Sequence, residues 1–179
     1  QIGANLKSFY AIPEENAIAS IMSEQGNSVL GVITEGGSCA PIEGFGWVGQ
    51  ECTLKPEKGY WIIMQESSSL CMEDAIMLNP NISYNLHLGA NLISFPSEGS
   101  VSVVDGLPNE IEESILGIIT GGGSCALIEG FGWVGQQCTL IGGKGYWFIS
   151  SDYISFSFNL SELSRIKSNF TESLYPAGF

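Results

Sequence analysis

Basic residues are scarce in this chain, with six Lys and Arg against nineteen Asp and Glu over 179 residues and a net charge of −13. Nucleic acid and anionic membrane surfaces are bound through a basic face, so charge argues against both as partners. Long apolar runs are missing as well. No stretch approaches the ~18–20 consecutive apolar residues that a spanning helix needs, so no membrane insertion is expected. Histidine occurs once, as His87, and aspartate three times, as Asp74, Asp105 and Asp152. None of these lies in a D-x-D-x-D-G loop that would hold calcium. The run Gly121-Gly122-Gly123 is not followed by Lys-Ser/Thr, so it is no phosphate loop. A catalytic site needs a nucleophile with its base, a carboxylate pair or a metal cluster. The chain reads as a non-enzyme, with no cofactor and no metal.

What is abundant is repetition. The stretch GGSCAPIEGFGWVGQECTL at 36–54 returns as GGSCALIEGFGWVGQQCTL at 122–140, an offset of 86 residues. The same offset carries Gly3-Ala4-Asn5-Leu6 onto Gly89-Ala90-Asn91-Leu92 and Lys58-Gly59-Tyr60-Trp61 onto Lys144-Gly145-Tyr146-Trp147. Across 28–54 and 114–140, 22 of 27 positions are identical, which marks a tandem duplication. The expected domains are unit one at 1–75, a linker at 76–83, unit two at 84–158 and an apolar tail at 159–179. Units this small bury too little surface to be secure alone, so a covalent staple or a packed partner is expected.

The cysteines supply the staple. Cys39/Cys52 and Cys125/Cys138 are both 13 apart around a Gly-Phe-Gly centre, so a hairpin about Phe45 or Phe131 sets each pair face to face. Facing residues of antiparallel strands stand roughly 4.5–5.5 Å apart, a distance that a disulfide accepts. Closing such a loop is worth about 3 kcal/mol. Zinc would want ligand pairs closer together in sequence. Disulfides point to an oxidising, extracellular or cell-surface location, and Gln1 reads as a mature N-terminus or a trimmed boundary. Cys71 is left over and aligns with Ser157, on a polar strand face, as a free thiol or an intermolecular link.

Glycines and short apolar runs predict a mainly β fold, two tandem small β-sandwich or barrel-like units, each with one short helix and a disulfide-stapled hairpin. In unit one the pattern predicts a strand over 4–10, a helix over 14–25 with Ala17, Ile18, Ile21 and Met22 on one stripe, strands over 29–34 and 59–64, and the hairpin 38–53 between them. In unit two it predicts a strand over 84–95, a helical turn near 108–115, a strand over 115–120, the hairpin 124–139, and strands over 145–150 and 152–158. The spacing G-x-N-L-x-S-F … W … G-K-G-Y-W, complete in unit two as Gly89–Pro96, Trp133 and Gly142–Trp147, resembles repeats of secreted and cell-surface multidomain proteins of bacteria and archaea. That resemblance implies an accessory or structural β-module with no uniform activity.

Two binding surfaces suggest themselves. Each hairpin turn carries an aromatic pair beside an acid, Phe45, Trp47 and Glu43, repeated as Phe131, Trp133 and Glu129. Aromatic faces stack on sugars and a carboxylate holds a hydroxyl, yet in so small a unit Trp is the obvious core filler. The second surface is the tail, where Ile166, Phe170, Leu174, Tyr175 and Phe179 ask for a packed partner. Unit two opens with Ser83–Leu88, whereas unit one begins at the position matching His87 and so lacks part of its first strand, leaving an unpaired edge. The tail could fill it by strand addition, within the chain or in a neighbour. Asn81, Asn159 and Asn169 stand in N-x-S/T triplets, candidate glycosylation acceptors of a glycoprotein. Two functions therefore follow: a non-enzymatic extracellular structural or adhesive protein, such as the subunit of a surface filament assembled by strand addition, or a carbohydrate-binding module of a secreted polysaccharide-acting protein. The expected partners are further copies, other surface proteins or glycans.

Overall fold

The computed structural model describes residues 1–160. The chain is mainly β. Unit one runs β1 (Gly3–Lys7), β2 (Ala11–Ile12), helix α1 (Ile18–Ile21), a 3-10 segment (Ser23–Ser28), β3 (Val29–Thr34), β4 (Gly37–Ile42), β5 (Gly46–Gly49), β6 (Tyr60–Met64) and β7 (Ile76–Met77). Unit two follows with β8 (Tyr84–Leu86), β9 (Gly89–Ile93), β10 (Ser100–Ser102), α2 (Val103–Gly106), α3 (Asn109–Glu112), β11 (Ile115–Thr120), β12 (Gly123–Ile128), β13 (Gly132–Gly135), β14 (Thr139–Ile141), β15 (Tyr146–Ser150) and β16 (Ile154–Phe156). Each unit is built on a five-stranded antiparallel sheet, ordered β1-β6-β3-β4-β5 in the first and β9-β15-β11-β12-β13 in the second. Strand for strand these orders correspond. Both sheets carry a bulge at the same place, between Val29 and Gly31 and between Ile115 and Gly117.

The strands alternate as a one-sided core requires. In β6 and β15 the tyrosines, Tyr60 and Tyr146, are fully buried, while Trp61 and Trp147 turn to the other face and stay half-buried. Each phenol oxygen accepts a backbone N–H at 2.7 Å, from Lys55 in unit one and Ile141 in unit two. A buried hydroxyl so satisfied costs little, whereas an orphan would cost roughly 1–3 kcal/mol. Burial also pushes the Tyr146 phenol up to about 12.

Several element boundaries differ from those the pattern predicts. The helix expected over 14–25 contracts to α1, because Gly26 (φ 52) breaks the turn that follows and no side chain caps the N-terminus. The strand expected over 84–95 divides into β8 and β9 at Gly89 (φ 92). Unit two has two helical turns rather than one. Part of the expected linker belongs to unit one, since Ile76 and Met77 pair with Ile12 and Ala11.

Both disulfides form, with Cα–Cα separations of 5.2 Å for Cys39–Cys52 and 5.0 Å for Cys125–Cys138. The partners are not directly opposite in the ladder as expected. Cys39 faces Gly49, and Cys125 faces Gly135. The turn is centred one residue earlier than Phe45, and the chain then bends back after β5 to bring Cys52 under Cys39. Gly49 makes that bend feasible, because a Cβ there would stand 2.0 Å from the Ser38 carbonyl oxygen.

The two units meet through the ends of their repeated motifs. Ser8 N donates to Gly143 O at 3.2 Å, and its counterpart Ser94 N donates to Glu57 O at 3.0 Å. Lys7 bridges to Lys144, and Ile93 bridges to Lys58. All four contacts exchange under the offset of 86, so the units embrace as an internal two-fold pair. A Cβ on Gly59 would lie 2.8 Å from Ile93 O, and one on Gly145 would lie 2.7 Å from Lys7 O. The glycine of each G-K-G-Y-W segment is thus the place where the other unit's first strand passes at backbone contact.

Candidate functional site

The hairpin tips separate the aromatics that the sequence sets side by side. Phe45 and Phe131 stand 81% and 82% exposed, and Glu43 and Glu129 are exposed beside them. Trp47 and Trp133 fold inward and pack, half-buried, against the two cores. Trp133 Nε1 donates to Glu112 Oε1, which ties the indole to α3. Each tip therefore presents one solvated phenyl ring rather than a stacking platform of two. Among the described residues no group of three His, Cys, Asp or Glu is placed to share a metal ion.

His87 is engaged, although nothing in the sequence pattern marks it. It stands in the turn between β8 and β9, with Nδ1 against Leu88 O at 2.7 Å and Nε2 against Glu35 Oε1. Glu35, in the turn between β3 and β4 of the other unit, accepts Leu92 N–H at 2.8 Å through Oε2. Two acceptors on the two ring nitrogens favour the imidazolium, and these bonds hold the His87 pKa above its ordinary value. The latch has no symmetric partner, since Gly121 stands where the offset would place a second Glu35 and Gln1 where it would place a second His87.

The sharpest difference between the units lies one strand away. In unit two β8 pairs antiparallel with β16, and Tyr84 is fully buried. Its ring stacks on Phe156 at 5.5 Å and meets Phe158 edge-on at 5.1 Å. Its hydroxyl lies 2.8 Å from Ser94 Oγ. Ser94 Oγ in turn donates to Pro56 O at 2.6 Å, so the phenol donates to the serine. Unit one has a groove of 520 Å³ at the corresponding place. Ser8, Phe9, Leu70 and Met72 line it, the counterparts of Ser94, Phe95, Phe156 and Phe158, together with Met22 and Cys71. Ser8 Oγ donates to Lys144 O at 2.7 Å, whereas Ser94 donates to Pro56, the counterpart of Gly142. The stretch corresponding to β16 is held by Gln25, whose Nε2 donates to Ser69 O at 3.1 Å while its Oε1 accepts from Ser68 Oγ at 2.5 Å.

Cys71 is exposed on the rim of this groove. Asn81 and Asn159 are exposed, and the Asn159 backbone N–H donates to Gly106 O at 2.9 Å. Leu160 is buried in the core of unit two. Ile166, Phe170, Leu174, Tyr175, Phe179 and the Asn169 triplet lie outside the described residues. The groove-lining Ser8, Leu70 and Met72 went unnoticed in the sequence pattern, yet the offset of 86 was the signal that could have found them. No family model matches the chain, and no curated protein or solved structure matches it either.

Proposed function

We propose that this chain is a non-enzymatic extracellular structural subunit that joins its neighbours by strand addition, as in a surface filament. The observation that carries the reading is the groove of unit one, whose counterpart in unit two is filled by a strand of the chain itself. A sheet edge that accepts an extended segment gains main-chain hydrogen bonds for affinity and side-chain pockets for register. A groove in one unit filled by a strand of a neighbouring copy makes a head-to-tail contact, which propagates into a fibre unless it closes into a ring. The two disulfides suit an extracellular setting. No helix among the described residues is long and apolar enough to cross a membrane. The resemblance to cell-surface repeat modules agrees with such a role. The test is particle length by negative-stain electron microscopy and light scattering, for the full chain and for a chain ending at Leu160. Fibres or oligomers of the full chain that vanish on truncation support the reading, and a strictly monomeric full chain ends it.

Carbohydrate binding is the second reading, and the exposed Phe45 and Phe131 with Glu43 and Glu129 are what favour it. Two tips on one chain would engage a repeating glycan twice. A glycan array probed with the chain and with a Phe45→Ala/Phe131→Ala variant decides, and equal signals for both remove the tips from consideration.

A further inference from the structure

We propose that the outward faces of the two five-stranded sheets are an interface between copies of this chain, sheet face against sheet face. The groove of unit one is lined by Ile62 and Met64 of the inward face. The proposed contact lies on the other side of the sheet and needs no donated strand, so it stands apart from the reading above.

An antiparallel sheet with one face in water alternates apolar and polar residues, whereas strands covered on both faces read as continuous apolar runs. The central strands here read the second way. β3 (Val-Leu-Gly-Val-Ile-Thr) and β6 (Tyr-Trp-Ile-Ile-Met) hold no charged residue, and neither do β11 and β15. Directly opposed residues of antiparallel strands share a face. The register of unit two thus sets Ala90, Ile149, Gly117, Ala126 and Val134 in one outward row across all five strands. The next row is Leu92, Trp147, Ile119 and Ser124. At the offset of 86, unit one has the identical residue at every one of these positions. Two interchangeable faces result, and no charge stands in either row.

These faces are open. Ile33, Val48, Ile119 and Val134 are 45–47% exposed, and Ile42 and Ile128, further along β4 and β12, are exposed as well. At roughly 200 Å² for a large side chain, such exposure leaves each unit an apolar face of roughly 500 Å², as large as the main patch of a typical monomer and present twice. Interfaces are about 60% apolar, so one such face with its polar rim corresponds to about 800 Å² per partner, the standard size of a stable contact.

The same rows already serve as a packing surface at one end. Leu6 and Leu92 are buried yet belong to neither core. Each lies over the other unit's G-K-G-Y-W glycine, with Leu6 Cδ1 2.9 Å from where a Cβ on Gly145 would stand and Leu92 Cδ1 2.9 Å from one on Gly59. The open part of each face continues this junction outward over β3–β5 and β11–β13. A twisted face of branched side chains is best covered by another of its kind, about 10 Å away with strands about 30° off parallel. A second copy brings such a face. Both chains carry −13, but the meeting surfaces themselves bring no like charges together.

Full-length chains are compared by sedimentation velocity over a dilution series. The parent should reach at least twice the chain mass and dissociate on dilution. Val48→Lys/Val134→Lys places a cation on each face and should weaken association about a hundredfold, although it lowers the net negative charge. Val48→Thr/Val134→Thr keeps the branched shape and should weaken it about tenfold, which guards against a fold lost in the lysine variant. Phe170→Lys/Leu174→Lys, outside the described residues, should leave association unchanged. A parent of single-chain mass throughout overturns the interface. Association that the tail variant abolishes and the face variants spare overturns it too, in favour of strand addition. Loss in face and tail variants alike would make the tail the cover of the sheet face and overturn the pairing of face with face.

Discussion

Units one and two share a sheet order, a bulge, a stapled hairpin and a buried tyrosine, yet they differ in how completely they close. The core of unit two joins seventeen buried residues and includes a cluster of Tyr84, Phe95, Phe148, Phe156 and Phe158 with ring centroids 5.1–6.2 Å apart. That of unit one joins eleven, with Leu70 and Met72 only partly buried at its margin. Since the repeated stretches are nearly identical, the hairpin and central strands do not account for the difference. It resides in three neighbouring features: a filling strand, the aromatic pair beneath it, and a Gln25 bracket where unit two has Ile111. The strand that closes unit two is β8, and unit one has a groove at the corresponding place.

The largest expected effect comes from making unit two resemble unit one. Tyr84→Ala removes a fully buried aromatic and its bond to Ser94. Truncations of this type cost about 3–5 kcal/mol, a large share of what a small domain possesses. Denaturant unfolding followed by tryptophan fluorescence should show a transition shifted to lower denaturant, with Trp133 and Trp147 reporting the loss. Adding the peptide of residues 82–88 should restore part of the shift, because the opened groove then has a ligand. An unchanged transition would mean that β8 adds nothing to unit two and would undo the comparison.

Much of this was legible beforehand, for definite reasons. Strict repetition at 86 made the architecture readable without any propensity argument, and symmetric cysteines made the pairing readable. Tyr60 and Tyr146 were half-readable, because adjacent Tyr and Trp on a strand must face opposite ways, but which faced inward depended on the Lys55 and Ile141 amides. The pattern overextends α1, because its apolar stripe of Ala17, Ile18, Ile21 and Met22 fixes neither end; Ala17 is already extended, and Gly26 takes φ 52 in the 3-10 segment that follows. The cysteine register was misplaced by assuming a turn centred on Phe45. Ser8 and Ser94 looked like ordinary strand-end serines. Only the packed structure shows one bonded to a phenol and the other lining a groove.

A smaller effect tests whether the two units are equivalent where they meet. Gly59→Ala and Gly145→Ala each push a methyl group onto a carbonyl oxygen of the opposite unit, at 2.8 and 2.7 Å. Overpacking of this kind costs about 1–3 kcal/mol. Because the two contacts are related by the internal two-fold, the variants should lower the thermal midpoint by similar amounts. Backbone neighbours cannot yield as a flexible side chain would. A large loss for one and none for the other would show that the embrace is lopsided.

The smallest effect concerns the latch that only one side of the embrace possesses. His87 bonds Leu88 O and Glu35, Glu35 also receives Leu92 N–H, and Lys58 Nζ donates to the Glu35 carbonyl at 3.0 Å. The folded-state pKa of His87 is raised. The added stability is therefore fully present below the unfolded histidine value, about 6.5, and is lost as pH rises through the higher folded value. His87 is half exposed, with 50% of its side-chain surface accessible, so screening keeps the contribution to about 0.2–1 kcal/mol. Thermal midpoints measured from pH 5 to pH 9 should fall slightly across that window in the parent chain. In His87→Gln the fall should flatten, with the difference between the chains largest at the acidic end. Salt should narrow it further, as expected for an exposed pair. A His87→Gln chain that keeps the full pH dependence would assign the titration to another group and leave the embrace held by its symmetric backbone contacts alone.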